Sequence, residues 1–153
     1  MLSFRHGNEE GTGSCLEVDI TPAKAGKDGI VTINIWPQTN SIQDTDWQGP
    51  KFATSLLGVG IDLGAGAVAH VLAVLDGSAL SILGNKGLRG SNDDRTTVLH
   101  VDRVTKPFEG YAFHIKTKFV NGERADGRII LSLTEGAALR DAIRASMGKI
   151  AFG

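Results

Sequence analysis

Hydrophobicity along this chain runs mostly with a period of two. Leu16, Val18 and Ile20 alternate with Glu17 and Asp19, and Val31, Ile33 and Ile35 alternate with Thr32, Asn34 and Trp36. Tyr111, Phe113, Ile115 and Phe119 oppose His114, Lys116 and Lys118, and Ile129, Leu131 and Leu133 flank Ser132. Successive strand side chains point to opposite faces, so this pattern predicts strands with one buried and one wet face, as in antiparallel sheets. Turn dipeptides punctuate the runs: Asp28-Gly29, Glu109-Gly110, Asn121-Gly122 and Asp126-Gly127. Glycine, at 20 of 153 residues, is roughly twice its usual ~7% and favours tight turns over long helices.

Two stretches break the alternation. In residues 63–76, Val68, Val71, Leu72 and Leu75 recur at i, i+3, i+4 and i+7, one helical stripe. Asp62 is the expected N-cap and Gly77 the expected stop. In residues 135–147 the stripe is Leu139, Ala142, Ile143 and Met147, with Thr134 as cap and Gly148 following. Arg140 and Arg144 fall on its polar side.

The order is therefore strands, helix, strands, helix. Leu2-Ser3-Phe4-Arg5-His6-Gly7-Asn8 and Leu80-Ser81-Ile82-Leu83-Gly84-Asn85-Lys86 echo one another, and each half is about 76 residues long. The expectation is an α+β domain spanning 1–153. It duplicates a four-strand-plus-helix unit, approximately 1–77 and 78–153, with each four-stranded antiparallel sheet covering the other. Glycine-rich loops are expected at 7–13 and 84–90, the latter as a flexible hairpin connection.

Charge separates between the halves. Residues 1–77 carry 4 Lys/Arg against 9 Asp/Glu, and residues 78–153 carry 12 against 8, giving −5 and +4 within a net −1. Such asymmetry fits a polyanion partner, head-to-tail subunit packing, or surface scatter. No apolar run reaches the ~18 residues of a membrane span. The amino-terminal residues show no apolar signal core. One cysteine, Cys15, cannot form an internal disulfide. A reducing, cytoplasmic setting is expected, with nucleoid or viral-replication contexts included.

Chemistry for catalysis is missing. His6, His70, His100 and His114 lack metal-ligand spacing. No nucleophile elbow occurs, and Gly84-Asn85-Lys86-Gly87-Leu88-Arg89-Gly90 lacks the ending of a phosphate-binding loop. The acidic pairs Glu9-Glu10 and Asp93-Asp94 read as solvated loop charge. No enzyme, metal or cofactor is expected.

Binding chemistry is present. Trp36 shares the polar face of its strand with Thr32 and Asn34, and Trp47 sits in a polar loop just before Lys51. Each ring either packs on protein or stacks on a nucleobase, worth ~1–3 kcal/mol per base. Lys86, Arg89, Arg95, Arg103, Lys106, Lys116 and Lys118 cluster between 86 and 118. Lys116 and Lys118 share one strand face. A basic sheet face beside aromatic rings can track a phosphate backbone while bases stack; the alternative is a solvated charged face.

Several segments resemble the Whirly proteins, a family of single-strand binders. Asp28-Gly29-Ile30-Val31-Thr32-Ile33-Asn34-Ile35-Trp36-Pro37 resembles their turn, apolar strand and Trp-Pro ending. Asp46-Trp47 followed by Lys51-Phe52-Ala53-Thr54-Ser55-Leu56 resembles their Asp-Trp and Phe-Ala-Leu strand. Gly127-Arg128-Ile129-Ile130-Leu131-Ser132-Leu133-Thr134-Glu135-Gly136-Ala137 resembles their last strand entering their last helix. Plant members lead into the first strand with Lys-Gly-Lys-Ala-Ala-Leu, whereas here only Arg5 and His6 supply positive charge nearby.

The resemblance implies two crossed four-stranded sheets, a homo-tetramer (or a dimer), and binding of single-stranded DNA or RNA with little sequence preference. On this reading Arg5, Lys51, Lys86, Arg89, Arg95, Lys116 and Lys118 neutralise phosphates, while Trp36 and Trp47 stack on bases. The rival expectation is a structural assembly protein that pairs its acidic first half with its basic second half and binds no nucleic acid.

Overall fold

A computed structural model describes residues 2–40, 49–52 and 59–151, with side chains given to residue 148. Two four-stranded antiparallel sheets make up the molecule, each followed by a helix. The first contains β1 (Leu2–His6), β2 (Ser14–Thr21), β3 (Ile30–Pro37) and β4 (Val59–Leu63), paired in chain order, then α1 (Ala65–Leu75). The second contains β5 (Leu88–Ser91), β6 (Arg95–Val104), β7 (Gly110–Phe119) and β8 (Arg124–Ser132), again in chain order, then α2 (Leu133–Ala151).

One core joins both sheets and both helices. Leu16, Ile33 and Ile35 from the first sheet are fully buried, as are Leu99, Phe113, Ile115 and Leu131 from the second and Leu75, Leu139 and Ile143 from the helices. The period-two faces therefore meet, each burying the apolar side of the other. Their close approach is fixed at Gly127 of β8, where a Cβ would lie 2.9 Å from Ile35 Cγ2 and Val59 Cγ2. Asp126-Gly127 is consequently not a turn; it lies within a strand, because the crossing needs a residue without a side chain.

Other expectations are corrected by local bonding. Asp62 belongs to β4 and accepts a 2.6 Å bond from the Thr32 hydroxyl, so Gly64 begins α1 without a side-chain cap. Gly77, at φ +85°, does end that helix, its N–H donating to the Val74 carbonyl. Ser132, not Thr134, caps α2. Its hydroxyl accepts the Glu135 N–H at 3.1 Å, and Glu135 Oε1 accepts the Ser132 N–H at 2.9 Å. Leu133 is thus helical and exposed, and α2 continues through Gly148.

The sequence echo does not mark equivalent strands. Its first copy holds β1, whereas its second holds a bridge residue and a 3₁₀ helix at Ile82–Asn85. The counterpart of β1 is β5. Residues 84–90 are accordingly a left-handed passage through Gly84, Asn85 and Gly87 into a strand, not a hairpin.

Candidate nucleic-acid interface

Strand parity places Lys116 and Lys118 on the outer face of the second sheet. Val98 and Asp126 flank Lys116 on the neighbouring strands, Thr96 and Arg124 flank Lys118, and Arg89 stands beyond Val98 on β5. Thr96, Val98, Lys116, Lys118, Arg124 and Asp126 line a shallow groove of about 620 Å3. Both lysines are exposed, so their charge stays hydrated until something meets it. His114 and Arg128 continue the face one row further. The local field is registered by His100 on the same face. Burial is the main cause of its lowered pKa, and Lys116 and His114 push the same way against Asp102.

A second, larger cleft of about 950 Å3 lies between the sheets. Thr32, Asn34, Trp36 and Asp62, from the outer face of β3 and β4, make one wall. The other wall is Asn92, Arg95, Phe119, Glu123 and Arg124, where β6, β7 and β8 come together around the hairpin turn. Phe119, expected in the core, is instead half-buried in this wall. The Arg95 guanidinium lies 4.9 Å from the centre of its ring and is paired with Asp94 at 3.1 Å. Trp36 Nε1 is shielded and has no hydrogen-bond partner among the described residues.

Groove and cleft adjoin at Arg124 and Ala125, which line both. This joins three sequence-predicted residues, Arg95, Lys116 and Lys118, to Trp36 along one path. Arg89 borders the path on β5. Arg5 is on the outer face of the first sheet, one strand beyond Cys15 from Trp36. Lys86 follows the 3₁₀ helix and lines neither depression. Lys51 is exposed on a loop whose backbone bonds Thr39 and Asn40, and it also lines neither. Trp47 lies outside the described residues.

Arg124 was not singled out from the sequence, although a signal existed. The Asn121-Gly122 turn pairs Phe119 with Glu123 through the Phe119 N–H and the Glu123 carbonyl, so Lys118 must face Arg124. Counting across that turn finds the residue linking groove and cleft.

No catalytic constellation emerges among the described residues. Cys15 is buried, and burial pushes its thiol pKa up against the opposing pull of Arg5, which keeps it protonated and unreactive. No group of three metal-ligating side chains gathers among the described residues. No helix there is long and apolar enough to cross a membrane.

This architecture recurs in solved structures. The plant transcriptional regulator PBF-2 matches with a TM-score of 0.66 at 15% identity, covering 97% of this chain and 80% of that one. WHY3 from Arabidopsis thaliana matches with a TM-score of 0.62 at 13% identity over 98% and 88%. MRP1/MRP2 from Trypanosoma bruciei matches with a TM-score of 0.60 at 15% identity over 99% and 94%. The chain therefore has a Whirly-like fold. At these identities the likeness is one of fold. No family model matches the chain, and no curated protein matches it significantly.

Proposed function

We propose that the protein is a non-enzymatic binder of single-stranded nucleic acid, DNA or RNA, with little sequence preference, working as a homo-oligomer. The observation that carries this reading is the shared wall, at Arg124, of an exposed basic groove and a cleft containing Trp36 and Phe119. Phosphates run past Lys118, Lys116 and Arg124, releasing counterions. A base turned into the cleft finds aromatic surface with the Asn34 amide nearby. Backbone charge and stacking carry this mode of binding, which tolerates any sequence because every base has a stacking face.

The test is a titration with a short poly-dT strand, followed by intrinsic tryptophan fluorescence over a range of salt. Binding should quench the emission and weaken steeply as salt rises. Lys116→Ala with Lys118→Ala should flatten the dependence of log K on log salt by about two times 0.7, the single-strand slope per phosphate contact. Trp36→Phe should remove the part of the quenching that arises in the cleft. An unchanged salt slope would remove the lysines from the interface, and no binding at low salt would overturn the reading.

A further inference from the structure

Folding sorts the charges of this chain by sheet face. The outward positions of the first sheet hold Glu17, Asp19 and Asp62, with Arg5 as the one cation among the described residues. The register sets Glu17 beside Asn34, and Asp19 and Asp62 on either side of Thr32. The outward positions of the second sheet hold Arg89, Lys116, Lys118, Arg124 and Arg128, against Asp102 and Asp126. Asp126 is partly engaged, with its carboxylate 2.9 Å from His114 Nε2. The inner faces of both sheets are spent on the shared core, which leaves these outward positions to meet a partner: Asp62, Lys116 and Lys118 are exposed, and Glu17 and Asp19 are half-buried.

We propose that the acidic outer face of the first sheet docks on the basic outer face of the second sheet of another copy, head to tail. The docked copy and a single-stranded polyanion then compete for the same cations; this second part rests on the nucleic-acid reading above. Opposite faces attract, whereas pairing either face with itself juxtaposes like charges, so the contact is heterologous. Every added copy brings one free face of each sign, and growth continues until the rotation closes a ring. Isolated exposed ion pairs contribute little, so the contact depends on the whole patch and weakens where salt shortens the ~10 Å screening length.

A charge exchange tests this. One variant carries Glu17→Lys and Asp19→Lys; the other carries Lys116→Glu and Lys118→Glu. Circular dichroism establishes that each is folded, and Glu17→Gln with Asp19→Asn, or Lys116→Gln with Lys118→Gln, replaces a pair that is not. Sedimentation velocity at low and high salt then reads assembly. The native chain should show a larger species at low salt than at high salt. Each charge-reversed variant alone should lose that increment, an equimolar mixture should regain it, and the neutral variants should show a reduced increment. A native chain with no salt-sensitive increment, neutral variants that keep it in full, or a mixture of folded variants that stays unassembled, overturns the docking.

Adding the poly-dT strand to the native assembly separates the two readings. Release of the salt-sensitive increment as the strand binds supports competition. Strand binding with assembly intact overturns competition. Assembly without any strand binding overturns the nucleic-acid reading and leaves the docking standing.

Discussion

Gly136 shows how much one absent methyl group controls. It lies in the first turn of α2 against the ring of Tyr111, and a Cβ there would overlap the ring edge. The ring cannot swing aside freely, because Tyr111 is buried and its hydroxyl donates a 3.2 Å bond to the Leu75 carbonyl. Alanine would gain about 1 kcal/mol of helix propensity over glycine. Overpacking a core contact costs roughly 1–3 kcal/mol. With the ring pinned, the steric cost wins, and Gly136→Ala should lower the urea midpoint of unfolding. An equal or higher midpoint would show that the ring yields. The glycine was visible in the sequence but its purpose was not, because its neighbour is 25 residues away and comes from a different element.

At the scale of elements, the start of α2 couples helix capping to the amino-terminal strand. Glu135 accepts the Ser132 N–H and also meets His6 Nε2 of β1 at 2.8 Å. Burial raises the Glu135 pKa, but the Ser132 N–H and the His6 contact together outweigh it, so the carboxyl lies below the ordinary glutamate value of 4.5. A depressed carboxylate pKa adds stability above that ordinary value, and this is lost as pH falls through the depressed one. Glu135→Gln should therefore lower the thermal midpoint at neutral pH and flatten its decline in acid. A parallel decline in native and variant would place the acid sensitivity elsewhere. Ser132→Ala should cost about 1 kcal/mol from the other side of the same box.

Elements were also what the sequence revealed best. Alternation gave β2, β3, β7 and β8 their faces, and the helical stripes found most of each helix's buried side, although in α1 Val74 is fully buried and Leu72 only partly. Boundaries fared worse. Thr134 and Asp62 have good capping chemistry, yet the neighbouring Ser132 and the Thr32 hydroxyl decided the outcome through contacts that linear reading does not rank. The lysine face followed from parity alone, and Arg124 was within reach by counting across a turn. The cleft was not, since it exists only because one sheet crosses the other.

For the molecule as a whole, the shared core means that neither half has a complete interior. Val59 and Ile61 of the first sheet are buried in the same cluster as Ile115 and Ile129 of the second. Removing one half would expose the full apolar face of the other. Unfolding should accordingly be a single transition, with far-ultraviolet circular dichroism and tryptophan fluorescence coinciding in urea. Two separated transitions would mean that the repeats fold independently. Residues 78–153 expressed alone should remain unfolded or aggregate, despite containing four strands and a helix of their own.

Gly127 then acquires a role beyond packing. It is the fulcrum on which the two blades rest, and the cleft lined by Trp36 and Phe119 begins close by, since Trp36 follows Ile35, which Gly127 approaches. Any side chain at that point would act as a wedge, prying the jaws apart and changing their bite. The width of that cleft is thus set by a residue that does not line it.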